Sequence, residues 1–224
     1  MLLREEGGTV VCIGQPAHAW VSGQIARAWR EPPDPWEEVC LAAEQHDIGM
    51  AQWDLTPGLN PETGRPYSFM EMPLPTHVAL WAAAPRIVLA QSRYAAVLVS
   101  MHGVALYERR DLDAMRAEEA RTVREYLESE RRFQDELIDS LDADRGEVKR
   151  NQQLVWAWDS LSLGLCLRWD LTEMLDPWPF RDDHVEFRTE GRRLEGRFGD
   201  EAELRAGLAE APWVTVEFAL DRTG

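Results

Sequence analysis

The chain is poor in positive charge, with a single lysine, Lys149, among its 224 residues. Its formal net charge is -16 and its pI is near 4.7. A polyanion such as DNA or RNA would be repelled by that field, so we expect no nucleic-acid partner. A small anion remains compatible with the charge, because a cation held inside an acidic protein dominates the potential around it.

Long apolar runs are also missing, and cysteine is scarce. No stretch approaches the roughly 18 apolar residues that a membrane-spanning helix needs, and the first residues lack the basic start and apolar run of a signal peptide. We therefore expect no membrane contact and a cytoplasmic protein. The three cysteines, Cys12, Cys40 and Cys166, lie far apart without CxxC spacing, which favours buried reduced thiols over disulfides or a zinc knot.

The residues that are present indicate a folded protein of one domain. Hydrophobic residues make up 45% and charged residues 29%, and this balance is typical of a chain that can bury a core. We expect one domain over residues 1–224. Its predicted parts are an N-terminal hairpin over 1–14, a helical core over 15–175 and a β-rich appendage over 183–220.

Apolar residues recur at helical spacing through most of the core, so the fold is predicted to be mainly α. The segment from Trp53 to Pro75 is rich in proline and has no helical period, which predicts a long loop that serves as a lid or a pocket wall. The predicted helices are 15–29, 36–50, 76–107 with a break at Pro85 and a restart at Arg93, 111–141 and 146–171.

The two ends of the chain carry strand patterns. Residues 2–13 indicate a hairpin around the Gly7-Gly8 turn. Three tail segments alternate apolar and polar residues as half-buried strands do: 185–187, 194–198 and 214–218. We expect these strands to pair with the hairpin and to form a small antiparallel β element beside the helices.

Four of the five histidines fall on or at the ends of predicted helices, and only His184 lies in the tail. An imidazole on an apolar helix needs a partner for each ring nitrogen, and a metal on one side with an acceptor on the other satisfies both. His46 and Asp47 are adjacent, so both can reach one ion. His18 and Asp159, from neighbouring helices, are expected to complete a site suited to Mn, Fe, Co, Ni or Zn.

The order of these residues resembles the HD superfamily of metal-dependent phosphohydrolases. Ala43-Glu44-Gln45-His46-Asp47-Ile48-Gly49 is similar to its hallmark turn. The whole chain, including Ser100-Met101-His102-Gly103, looks most like DUF3891, a bacterial family of unknown function. The resemblance implies an HD-like helical bundle with one or two ions, and His77 and His102 are then expected either to ligate the second ion or to contact the substrate.

The resemblance also implies the chemistry. We expect hydrolysis of a small phosphorylated molecule, in which the ion lowers the pKa of a bound water and polarises the phosphoryl oxygen. Asp47, His77 and His102 are the predicted catalytic residues. A homodimer is left open by the sequence.

One departure leaves the substrate class open. Many HD enzymes have a lysine after the glycine of the hallmark turn, whereas this chain has Met50. A phosphate would then depend on arginine. Two alternatives therefore remain: a metal-containing or metal-free HD-like binding protein without turnover, and a di-iron oxygenase of HD type. The arginine candidates for phosphate are Arg27, Arg65, Arg93 and Arg109.

Overall fold

The computed structural model describes residues 1–222, and they form a mainly helical fold with a small antiparallel sheet, as predicted. The strands are β1 (Leu2–Glu6), β2 (Thr9–Ile13), β3 (Leu59–Asn60), β4 (Arg65–Pro66), β5 (His184–Leu194) and β6 (Trp213–Asp221). The helices are α1 (Gln15–Ala28), α2 (Trp36–Gln45), α3 (Ala51–Leu55), α4 (Leu74–Val88), α5 (Arg93–Glu108), α6 (Ala117–Leu141), α7 (Arg145–Leu167) and α8 (Glu201–Glu210).

Helix α5 is the centre of the bundle. Its run from Ala95 to Ser100 is fully buried, and the helix packs against α2, α4, α6 and α7. Ser92 caps its N-terminus by accepting a hydrogen bond from the Ala95 N–H at 3.2 Å. A helix with no solvent-facing stripe over two turns must have neighbours on all sides, and these neighbours surround the site described below.

The sheet joins the two ends of the chain, in the order β1-β2-β5-β6 with every neighbouring pair antiparallel. Val10 pairs with Leu194 and Cys12 with Arg192, so the predicted pairing of the tail with the hairpin is confirmed. The tail itself differs in detail, because β5 is one strand of 11 residues and residues 195–198 lie outside it. Helix α8, which follows, was not predicted.

Several predicted boundaries in the bundle were wrong, and two of them have a clear physical reason. Helix α4 continues through Pro85 to Val88, because Ala84 and Val88 are buried in the core and their packing outweighs the lost backbone hydrogen bond. Helix α6 begins at Ala117 instead of residue 111. The Asp111 carboxylate accepts the N–H groups of Asp113 and Ala114, and this local turn competes with helix formation.

The proline-rich segment is more ordered than the predicted loop. It contains α3, a two-stranded hairpin of β3 and β4, and one 3-10 turn over Phe69–Glu71. Ser68 and Glu71 form a reciprocal capping box that starts this turn. Across residues 1–222, none of the helices combines the length and the apolar composition that a membrane crossing requires.

Candidate metal centre

His18 lies in the first turn of α1, where Pro16 is well suited to helix initiation. The Asp54 carboxylate accepts the backbone N–H of Gln15, and this contact fixes the start of the helix. His18 is buried, and its Nδ1 lies 2.7 Å from the backbone oxygen of Gln15. A carbonyl can only accept, so Nδ1 carries the proton and donates, and Nε2 presents its lone pair to the interior.

His46 and Asp47 lie just beyond the end of α2, not within its last turn as predicted. Asp47 leaves the helical conformation at φ -101° and ψ 13°, and a 3-10 turn over Ile48–Met50 follows. His46 repeats the arrangement of His18, because its Nδ1 lies 2.8 Å from the backbone oxygen of Ala43. Gly49 keeps the turn against α4, where a Cβ would collide with the backbone oxygen of Leu80.

His102 on α5 and Asp159 on α7 complete the cluster from the opposite side. Both are buried. The His102 ring lies between Trp81 and Trp156, with centroid distances of 5.5 and 5.2 Å. Unlike His18, His102 has no acceptor for its Nδ1, so nothing in the described chain fixes which ring nitrogen is protonated.

The five side chains form two overlapping groups, one of His18, His46 and Asp47 and one of His46, His102 and Asp159. Asp159 Oδ1 lies 3.0 Å from His18 Nε2 and 3.2 Å from His46 Nε2. His46 Nε2 is 3.5 Å from Asp47 Oδ2, and His102 Nε2 is 3.5 Å from Asp159 Oδ2. With metal–ligand bonds of about 2.1 Å, adjacent ligand atoms lie roughly 3.0–3.4 Å apart, so these separations suit one coordination shell.

The electrostatics of the cluster favour a positive charge within it. Burial opposes protonation of His46, but the carboxylates of Asp47 and Asp159 raise its pKa to about 9. Burial alone would raise the pKa of Asp159, yet the charge of His46 and the contact with His18 Nε2 at 3.0 Å hold it well below the usual value. Burial raises the pKa of Asp47 and lowers that of His102 to about 3.

Unpartnered polar atoms test whether these residues fit a cation. His46 Nε2 and Asp47 Oδ1 are buried without a hydrogen-bond partner. Buried polar atoms are satisfied in most structures, so an orphaned nitrogen and an orphaned oxygen in the same cluster need an explanation. A divalent ion supplies it, because it accepts lone pairs from both atom types. The cluster can therefore hold a metal.

His77, the sixth predicted ligand, is not in either group. Its Nδ1 lies 2.5 Å from the Tyr107 hydroxyl, and its Nε2 accepts the Trp81 indole N–H at 3.1 Å. Burial, with a smaller contribution from Arg110, lowers its pKa to about 4, so the ring is neutral. Both nitrogens are occupied, which leaves His77 no free lone pair for an ion in this conformation.

The cluster forms one end of a cavity of about 260 Å³, which we call the central pocket. Its walls include part of the proline-rich segment, so the predicted wall function of that segment is confirmed. None of the four predicted arginines lines it, and the one arginine that does is Arg110. The pocket is lined by Gln15, His18, His46, Asp47, Phe69, Met70, Met72, Leu74, His77, Trp81, His102, Leu106, Arg110, Asp159 and Leu163.

The four predicted arginines have other contacts. Arg27 pairs with Glu44, Arg65 with Glu5, and Arg93 donates to Ser140. Arg109 stacks on Trp156, with its guanidinium carbon 3.6 Å from the ring centroid. Among the polar residues of the pocket, Arg110 and Gln15 were not predicted from the sequence. Arg110 lies beside the predicted Arg109, but no spacing rule distinguishes the two.

A family profile described as "Protein of unknown function (DUF3891)" matches residues 1–174. This match covers every residue of the cluster and the helices α1 to α7, but not β5, α8 or β6. No curated protein and no solved structure matches the chain. The family profile spans well over half of the sequence, and so the chain belongs to the DUF3891 family.

Proposed function

We propose that the protein is a metal-dependent phosphohydrolase that acts on a small phosphorylated molecule. One observation carries the proposal: the Nε2 nitrogens of His18 and His46 face the Asp159 carboxylate at 3.0 and 3.2 Å, while their Nδ1 protons are committed to backbone carbonyls. Acceptors that face each other in a buried site need a shared proton or a cation between them. The nitrogen and oxygen donor set favours Mn, Fe, Co, Ni or Zn.

The residues that would hold the ion are His18, His46, Asp47 and Asp159. A divalent ion in such a site lowers the pKa of water and polarises a phosphoryl oxygen. His46 has one lone pair, because its Nδ1 donates to Ala43, so it can ligate only one ion. A second ion would depend on His102 and shared carboxylate oxygens, and it would bind more weakly than the first.

Asp47 is the best-placed proton acceptor of the predicted catalytic residues. Asp47 belongs to the group that would hold the ion, so its carboxylate would lie within reach of a water bound there. His77 and His102 are both kept neutral by burial, with pKa values of about 4 and 3. We propose that His102, whose Nδ1 has no partner, acts as a neutral hydrogen-bonding group toward the substrate, and that His77, whose ring nitrogens are both occupied, shapes the pocket wall.

The test begins with elemental analysis of protein purified without chelator. The apoprotein is then loaded with Mn, Fe, Co, Ni or Zn and assayed against small phosphorylated molecules for release of phosphate. Asp159→Asn keeps the shape of the side chain and should lose both metal and activity. Asp183→Asn, on the exposed tail, is the matched control and should lose neither.

Three other outcomes would redirect the assignment. Absence of bound metal after loading with all five ions would end the proposal. Metal retention with tight phosphate binding but no hydrolysis would favour the binding protein without turnover. Oxygen consumption by the iron-loaded protein would favour the oxygenase.

A further inference from the structure

The two ends of the central pocket differ in charge. The buried end holds the carboxylates of Asp47 and Asp159, and the other end holds Arg110, which is exposed. Arg110 is the only lysine or arginine that lines the pocket within residues 1–222, and its guanidinium makes no ion pair with a carboxylate of that part of the chain. An arginine without a partner beside a pocket is available to an anionic ligand.

A row of aromatic and histidine side chains separates Arg110 from the metal cluster. The Arg110 guanidinium carbon lies 5.0 Å from the Tyr107 ring centroid, and the Tyr107 hydroxyl contacts His77. His77 accepts from Trp81, whose ring lies 5.5 Å from that of His102. Three side chains therefore lie between Arg110 and His102 along this wall. One anionic group cannot be expected to reach both ends.

Apart from Gln15, the remaining walls are apolar. Thioether and aliphatic side chains offer no hydrogen bonds, so the middle of a ligand must be apolar to be bound without a desolvation penalty. The single guanidinium also limits the charge, because a polyphosphate would need several cations. The apolar lining residues are Phe69, Met70, Met72, Leu74, Leu106 and Leu163.

We propose that the substrate has two charged ends: a phosphoryl group at the His/Asp cluster and a second anionic group, a carboxylate or its equivalent, on Arg110, joined by a short apolar chain. This inference rests on the proposed function, because it takes the phosphoryl group to be the reacting end. The cavity of about 260 Å³ suits a molecule of this size, and a nucleoside polyphosphate would extend beyond it.

Phosphonates test the proposal, because their carbon–phosphorus bond is not hydrolysed and binding is measured without turnover. Calorimetric titration of the metal-loaded protein compares 4-phosphonobutanoate with butylphosphonate, which lacks the carboxylate. We expect the wild-type protein to prefer 4-phosphonobutanoate by about tenfold, as for one charge-assisted hydrogen-bonded pair. Arg110→Gln should abolish this preference and leave butylphosphonate affinity and metal content unchanged. Arg109→Gln, in the same turn but stacked on Trp156, should retain the preference.

The outcomes separate this inference from the proposed function. Metal-dependent binding of both phosphonates without a preference would overturn the two-ended substrate and leave the phosphohydrolase standing. Equal weakening of both ligands by Arg110→Gln would show that Arg110 holds the phosphoryl group, which also overturns the inference. Binding of neither phosphonate would overturn the two-ended substrate, and the phosphohydrolase would then be decided by the metal analysis and the phosphate-release assay.

Discussion

His46 and His77 line the same pocket, are both largely buried and yet are prepared for different tasks. His77 has a partner for each ring nitrogen, the Tyr107 hydroxyl and the Trp81 indole. His46 has a partner only for Nδ1, and its Nε2 faces carboxylates without a hydrogen bond. A buried imidazole left with one satisfied nitrogen is poised for a ligand, whereas one with two is part of the wall.

Replacement of His46, which has a partner for only one ring nitrogen, should have the largest effect on metal content. His46 belongs to both candidate groups, so His46→Ala should lower retained metal to below about 0.1 ion per chain, since each group loses a ligand. Plasma emission analysis after dialysis measures the content. The exposed His184, changed to alanine, is the matched control and should retain wild-type metal. Wild-type metal content in His46→Ala would place the ion elsewhere.

Protons should compete with the metal at the same nitrogen. The carboxylates of Asp47 and Asp159, working against burial, raise the pKa of His46 to about 9, so below that pH the metal-free protein holds a proton which the ion must displace. Apparent affinity should therefore rise with pH, by up to about tenfold per unit, and level off near pH 9. Titration with chelator-buffered Co between pH 6.5 and 8.5 measures the slope. A constant affinity over that range would contradict the assignment.

His102 should contribute less than His46. It lies outside the group of His18, His46 and Asp47 and has no acceptor to orient its ring. We expect His102→Ala to retain about one ion per chain and to lose activity mainly through weaker substrate binding, which appears as a raised KM. Metal loss equal to that of His46→Ala would make the two histidines equivalent. A wild-type protein that stays at one ion under saturating metal would rule out a binuclear centre.

The contacts of His77 should matter more for the stability of the protein than for its metal content. Tyr107→Phe removes the hydroxyl that faces His77 Nδ1 and leaves that nitrogen without a partner in a mostly buried position. The free energy of unfolding should fall by about 1–2 kcal/mol, measured by urea denaturation, with metal content unchanged. Loss of metal in this variant would show that the wall and the cluster are coupled.

The sequence predicted the cluster better than the pocket. His18, His46, Asp47, His102 and Asp159 were predicted from their residue types, their place on or at the ends of predicted helices and their order, all of which are visible along the chain. His77 shares these features, but its side chain contacts Tyr107, and this depends on tertiary packing that no spacing encodes. The distinction between Arg109 and Arg110 is likewise a difference of one residue at the end of α5, where boundaries are least predictable.

In the fold, too, some features were predictable from the sequence and others were not. The hairpin, the bundle and the pairing of tail with hairpin were visible as patterns of period 3.6 and 2. The helix through Pro85 and the late start of α6 were not, because each depends on a balance between a local preference and packing. Helix α8 was not predicted, because its large apolar residues are few and only Leu204 is buried.

Strand β5 supports α1 through hydrogen bonds, and this strand lies outside the segment that the family profile matches. Thr189 on β5 donates to the backbone oxygen of Ala17 at 2.8 Å, one residue before His18, and Arg188 and Gln24 exchange hydrogen bonds. A fragment cut after residue 174 would leave β2 as an open edge with unpaired backbone groups, which invites self-association. The part of the chain that carries the cluster therefore depends, for the pairing of β2 and the support of α1, on a tail that does not line the pocket.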